Sequence, residues 1–213
     1  MNYAICVSGA AAGKTVELDK KLAEQIGQSI AKAGHIVTTG ATVGLPYYAA
    51  RAAKAAGGMS IGFSPASSLR EHVFKYRLPI GIYDFINFTG MHYVGRDTHL
   101  VLSSDAVITI GGRMGSLHEF TTALESNTIC GILTGSQGAA DIIKELMQRL
   151  EPVNQKNLIY NDDPEELVRL IINRLNNDNK DIDTKALAAS WYLDDDKTDE
   201  YGRPIKGTSG HSG

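Results

Sequence analysis

The stretch Asp105-Ala106-Val107-Ile108-Thr109-Ile110-Gly111-Gly112-Arg113-Met114-Gly115-Ser116-Leu117-His118-Glu119 decides the fold. Asp105 to Ile110 is a short β-rich run without alternation, the pattern of a parallel strand buried on both faces. Gly111, Gly112 and Gly115 let the backbone turn tightly and approach a ligand. The helix start that follows presents unpaired N–H groups and the positive end of its dipole. Strand, glycine turn and helix in that order build the anion sites of open α/β sheets, so a phosphate or carboxylate is expected against residues 111–116. Glu119 falls one turn into that helix, where a carboxylate would share the crevice. Ser116-Leu117-His118-Glu119 also matches a capping box, in which Ser116 and Glu119 satisfy each other's backbone N–H. The local pattern leaves both roles of Glu119 open.

Working outward, short apolar runs alternate with amphipathic segments. Strands are expected near 3–8, 35–39, 58–63, 82–88, 105–110, 128–133 and 157–160, and helices near 17–33, 45–57, 91–103, 116–127, 137–150 and 164–176. This predicts an α/β fold, a single doubly wound parallel sheet of Rossmann type with helices on both faces. Leu18, Leu22, Ile26 and Ile30 give the first helix an apolar stripe, and Gly34 is its stop. Asp163 and Pro164 open the last helix, with Leu167, Leu170, Ile171 and Leu175 as its packing face. One domain over 1–176 is expected, followed by a polar, largely flexible extension over 177–213 in which Leu187, Trp191, Tyr192 and Leu193 are the apolar exception.

A chain of 213 residues with 43% apolar content suffices for one substantial core. The net charge of −3 carries no footprint for nucleic acid, and no run reaches the length of a membrane span. Met1 to Val7 lacks a basic leader and reads as a first strand, so a cytoplasmic location is expected. Cys6 and Cys130 fall in predicted buried strands as reduced thiols. No Cys/His spacing suggests a metal, and no cofactor is expected.

Two further glycine loops follow strands. Thr39-Gly40-Ala41-Thr42-Val43-Gly44-Leu45-Pro46 leads into a helix at the same sheet edge, which makes Gly40 and Gly44 candidate binding positions. Ser8-Gly9-Ala10-Ala11-Ala12-Gly13-Lys14-Thr15 nearly spells a Walker A motif, but Ser8 stands where the first glycine belongs, and no acidic residue closes a later strand. Gly9 remains as a ligand-facing glycine, without a nucleoside-triphosphatase site around it.

Together these pieces resemble the LONELY GUY (LOG) family, within the superfamily that includes DprA-type and molybdenum-cofactor-carrier Rossmann domains. The resemblance spans roughly residues 3–175 and rests on Arg96, Ser104-Asp105-Ala106, the Gly111 to Ser116 loop and Glu119, which fall in the family's register. It implies that Arg96 and Glu119 are the catalytic pair cleaving the N-glycosidic bond of nucleoside 5′-monophosphates. It also implies that Gly111, Gly112, Arg113, Met114, Gly115 and Ser116 cradle the phosphate. Several positions depart from the family pattern: Gly111 for proline, Arg113 for glycine, Ser116 for threonine, and Asp97 for the lysine after the arginine. The Thr39-Gly40 loop and the Gly-Gly-x-x-Gly-Ser-x-x-Glu spacing resemble a less-studied branch more than the cytokinin-activating enzymes.

The expected activity is therefore a hydrolase, an N-glycosidase releasing base and ribose 5-phosphate, with Glu119 serving an oxocarbenium-like transition state and Arg96 positioning it. A non-catalytic nucleotide or cofactor carrier or sensor using the same cradle is the alternative, favoured by Arg113. The partner expected is a small nucleotide, with no nucleic acid and no membrane. Without the resemblance, Arg96 beside Asp97 reads as a surface residue. His99 and His118 read as pocket-wall or surface residues, and the tyrosines at 47, 48, 76, 83 and 93 as core or interface residues, one of which could stack on a base. Met91, Val94, Leu100, Val101 and Leu102 give the helix near 91–103 more apolar surface than one face needs, which predicts a homodimer.

Overall fold

In the computed structural model, which describes residues 2–150 and 155–182, the apolar runs become strands β1 (Ala4–Gly9), β2 (Ile36–Thr39), β3 (Ser60–Ser64), β4 (Phe85–Phe88), β5 (Ala106–Ile110), β6 (Ile129–Leu133) and β7 (Leu158–Asn161). The helices are α1 (Lys14–Lys32), α2 (Leu45–Ala55), α3 (Leu69–Phe74), α4 (His92–Leu102), α5 (Met114–Glu125), α6 (Ala139–Leu150) and α7 (Pro164–Asp178). Every strand pairing is parallel, in the order β4-β3-β2-β1-β5-β6-β7, and helices cover both faces. This is the doubly wound sheet expected from the alternation.

The strand order creates the site. From β1 the chain builds outward to β4, then returns through α4 to lay β5 on the other side of β1. Gly9 and Ile110 stand opposite one another as the carboxyl ends of these two strands part. Ligands of open α/β sheets bind at such a switch point. β5 and β6 are buried at every position, as strands covered on both faces must be. Phe120, Leu124, Ile132, Ile143 and Met147 pack with Cys6 and Val107 into the core beneath them. β4 is an edge, and its Phe85 faces solvent.

Helix termini follow local chemistry. Asp163 Oδ1 accepts from the Glu166 N–H at 2.7 Å, and Pro164 opens α7, whose Leu167, Val168 and Ile171 are buried. Gly34, with φ +80°, follows the end of α1. The stripe expected on α1 begins one turn later: Leu18 is 58% exposed, while Ala23, Ile26, Gly27 and Ile30 are buried. Gly27 belongs to that face because α2 lies against it, and a Cβ there would sit 2.0 Å from the Ala49 carbonyl oxygen.

Other boundaries moved for identifiable reasons. The strand expected from 82 starts at Phe85, because Ile82 and Asp84 are occupied in bonding Ser60. α3 was not expected, being six residues long, yet Ser68 caps it through the Glu71 N–H at 3.2 Å. Residues 2–173 form one compact unit, and a second begins at Arg174, whose described part is the end of α7 and the turn after it. Within that second unit Arg174 Nε lies 2.9 Å from Asp178 Oδ2. Of the expected extension over 177–213, residues 177 and 178 complete α7, and what lies beyond residue 182, including Leu187, Trp191, Tyr192 and Leu193, falls outside the described residues. Among the described residues no helix is long and apolar enough to cross a membrane.

Candidate functional site

The glycine loop after β5 is held from behind. Gly111 and Gly112 adopt left-handed backbone angles, φ +53° and +95°. The Gly111 N–H donates to Ser136 Oγ at 2.9 Å, and the carbonyls of Gly111 and Gly112 accept from Ala140 and Ala139, at 2.9 and 3.0 Å. The start of α6 is thereby docked on the loop. A Cβ on Gly111 would meet Asp19 Oδ2 at 2.8 Å, and one on Gly112 would meet Ser116 at 2.5 Å. Both glycines shape the loop from the inside, away from the cleft.

Arg113 is extended and stands at the N-cap of α5, where no side chain caps the helix. Met114, Gly115 and Ser116 are the first three helical residues, whose N–H groups have no acceptor within the helix. Gly115 and Ser116 line the cleft, and a Cβ on Gly115 would meet nothing within 4 Å. The expected capping box does not form. The helix begins two residues before Ser116, and Glu119 turns toward β1.

There Glu119 is 8% exposed and doubly held. Ser8 Oγ donates to its Oε2, and Arg96 Nη1 lies 3.3 Å from its Oε1. Arg96 Nη1 also lies 3.2 Å from Asp97 Oδ1, and Asp97 Oδ2 lies 3.1 Å from His118 Nδ1. Burial pushes the Glu119 carboxyl up to about 7; Asp97 pushes the same way, and Arg96 and Ser8 oppose it. Burial and the Glu119 charge also raise the Cys6 thiol beneath it. Arg96, which apart from the family resemblance reads as a surface residue, is 5% exposed. Gly40 makes that possible, since a Cβ on it would lie 1.8 Å from Arg96 Nη1.

The cleft these groups line measures about 230 Å³ and is partly open. Of the residues singled out in the sequence, it gathers Gly9, Gly40, Arg96, Arg113, Gly115, Ser116 and Glu119. Gly44 stands behind it, joining two loops: a Cβ there would lie 2.2 Å from the Ala10 carbonyl oxygen, which accepts from the Leu45 N–H at 2.9 Å. Met114 is largely exposed and, with Gly111 and Gly112, does not line the cleft. His99, three residues from Arg96, is exposed on α4.

Two contributors are absent from the sequence-derived site, Ser8 and Asp97, and of the five tyrosines only Tyr93, half-exposed, lines the cleft. The one signal in the sequence for Ser8 is its place at the carboxyl end of β1, where the ladder sets it opposite Thr109 of β5. Asp19 was likewise hidden; burial, despite the Gln137 backbone bond, raises its carboxyl, and Oδ2 has no partner. Among the described residues no group of three or more His, Cys, Asp or Glu could hold a metal ion.

Comparison with known proteins shows the family and the fold. The profile of the SLOG cluster4 family matches residues 2–168. An uncharacterized protein of Archaeoglobus fulgidus is 31% identical over 114 residues, 54% of this chain and 70% of that protein. The molybdenum cofactor binding protein of Rippkaea orientalis superposes with a TM-score of 0.67 at 29% identity, over 82% of this chain and 98% of its own. DNA processing protein A of Helicobacter pylori, which binds single-stranded DNA, shares the fold at a TM-score of 0.55 and 14% identity, over 81% of each chain. With its glycine loop, its switch-point cleft and a match across nearly the whole described sheet, the chain belongs to the SLOG cluster4 family.

Proposed function

We propose that the chain binds a nucleoside 5′-monophosphate in this cleft and hydrolyses its N-glycosidic bond. The observation that carries the reading is the uncapped start of α5 beside a buried carboxylate from the same helix, held by Arg96 and Ser8. The free N–H groups and dipole of α5 suit a phosphate, and Arg113 at the rim adds a charged donor. With the phosphate there, Glu119 faces the sugar.

As the bond from the anomeric carbon to the base nitrogen breaks, its electron pair leaves with the base and the sugar gains oxocarbenium character. The ionised Glu119 stabilises that charge and takes a proton from the attacking water, whose oxygen joins the anomeric carbon. The base takes up a proton from solvent and Glu119 gives back the one it took from the attacking water, so the products are the neutral base and ribose 5-phosphate and the carboxylate is restored. Arg96 keeps Glu119 ionised enough to act and fixes its direction.

The test is chromatographic detection of free base and ribose 5-phosphate from the adenosine, guanosine, cytidine and uridine monophosphates. Glu119→Gln should abolish release while retaining nucleotide binding. A second reading, a carrier that holds its ligand without turnover, is favoured by Arg113 in the cradle and by the molybdenum cofactor binding relative at 29% identity. Mass spectrometry of the ligand retained on purification separates the two. No base release from any of the four monophosphates, with a small molecule retained intact, would overturn the hydrolase and leave the carrier.

A further inference from the structure

Asp97 has a place in the cleft that the reading above does not use. Its carboxyl lies 3.2 Å from Arg96 Nη1 and 3.1 Å from His118 Nδ1, and its charge helps to raise the Glu119 carboxyl. Both acids lean on the same guanidinium nitrogen, and their side chains are only 9% and 10% exposed. Ionised carboxylates are acceptors alone, so two of them meeting at one nitrogen have no donor between them unless one keeps a proton. One guanidinium cannot neutralise two carboxylates that water barely reaches, and a retained proton removes the excess charge. On the other side of Asp97, His118 is 40% exposed and reaches solvent.

We propose that Asp97 and Glu119 share one proton beside Arg96, with Asp97 as the positioning residue that accepts it from Glu119 and His118 as the group that exchanges it with water. The transfer balances. Glu119 gives its proton to Asp97, Asp97 gives it to His118 Nδ1, and the imidazolium releases its Nε2 proton to solvent, leaving both acids ionised. The reverse path reloads the pair. Glu119 can thus change protonation state while a ligand covers the cleft.

The neighbours that act on the pair come from every element around it. β1 contributes Cys6 and Ser8, α4 contributes Arg96, α5 contributes His118 and, at the rim, Arg113. Tyr83, whose phenol burial pushes up to about 12, interacts with Arg96 and stays neutral. None of these except Arg96 is a fixed cation buried against the acids, so the shared proton has no resident substitute. Its use in base release rests on the proposed hydrolysis; its existence does not.

The experiment needs no substrate. Infrared titration of the ligand-free protein follows the stretching band of the protonated carboxyl, assigned by its loss in Glu119→Gln, while NMR follows the His118 imidazole. Wild type should lose the band near pH 7, with His118 resonances moving in the same step. Asp97→Asn removes the like charge and offers Glu119 an amide donor, so the band should titrate at least one pH unit lower. In Glu119→Gln the step near neutrality should vanish from the His118 resonances, although the two side chains share no hydrogen bond. A Glu119 midpoint unmoved by Asp97→Asn, or His118 resonances that ignore Glu119→Gln, would overturn the proposal. If Asp97→Asn fails to fold, the response of His118 to Glu119→Gln decides alone. Absent base release beside an intact proton-sharing signature would refute the hydrolase and leave the pair.

Discussion

Replacing Gly40 by alanine should disable the cleft by displacing Arg96. Its backbone angles lie outside the left-handed region, so alanine is sterically allowed there and would by itself stabilise the chain by about 0.4–1 kcal/mol. The added Cβ would sit 1.8 Å from Arg96 Nη1 and 2.6 Å from Cζ, so the guanidinium must leave. An arginine head normally swings aside easily, but this one holds two buried carboxylates. Removing one partner of a buried ion pair costs about 3–5 kcal/mol, so the net loss is about 2–4 kcal/mol. For a chain of this size that is a fall in Tm of roughly 5–15 °C. The loss should be largest at pH 8 and shrink toward pH 5.5, because the abandoned acids can then take up protons. Calorimetry at both pH values reads this directly. Gly115→Ala is the internal contrast: its Cβ meets nothing within 4 Å, so Tm should hold or rise while ligand binding weakens. A Gly40→Ala protein melting within 1 °C of wild type at pH 8 would refute the account of why Gly40 is glycine.

Arg113→Ala should weaken monophosphate binding by about 1.5–3 kcal/mol by titration calorimetry, the range for a charged hydrogen bond, with Tm nearly unchanged because Arg113 is exposed. Because burial raises Glu119 from 4.5 to about 7, its protonated form favours the folded state. That contribution is complete below pH 4.5 and lost as pH rises through about 7, an upper bound of roughly 3 kcal/mol. Glu119→Gln lacks this dependence, so denaturation should show wild type losing ground to the variant from pH 5 to pH 8, while base release by wild type rises over the same interval as the carboxylate forms. Met91, Val94 and Leu102 are exposed along one side of α4, so light scattering should give twice the 22.9 kDa chain mass, and Val94→Asp should return it to one chain.

Much of the architecture was local enough to be legible in the residues themselves. The continuous apolar runs of β5 and β6 could only be strands covered on both faces, and Asp163-Pro164 starts α7 through a bond three residues long. The cleft was legible as a place: Gly9, Gly40, Gly115 and Glu119, on three different segments of the chain, line it together. What each does there was not. Whether Glu119 caps its helix or turns to the cleft depends on where α5 begins, and the turn before it is held by distant residues, Ala139 and Ala140, which donate to the Gly111 and Gly112 carbonyls from the start of another helix. Ser8 reaches Glu119 across 111 residues, and Arg96 is buried only because α4 returns the chain past β2 and lays it against Gly40. Turns and caps are settled by bonds between near neighbours. The pairing of buried charges is settled by strand order, which brings distant residues together where water can no longer separate them.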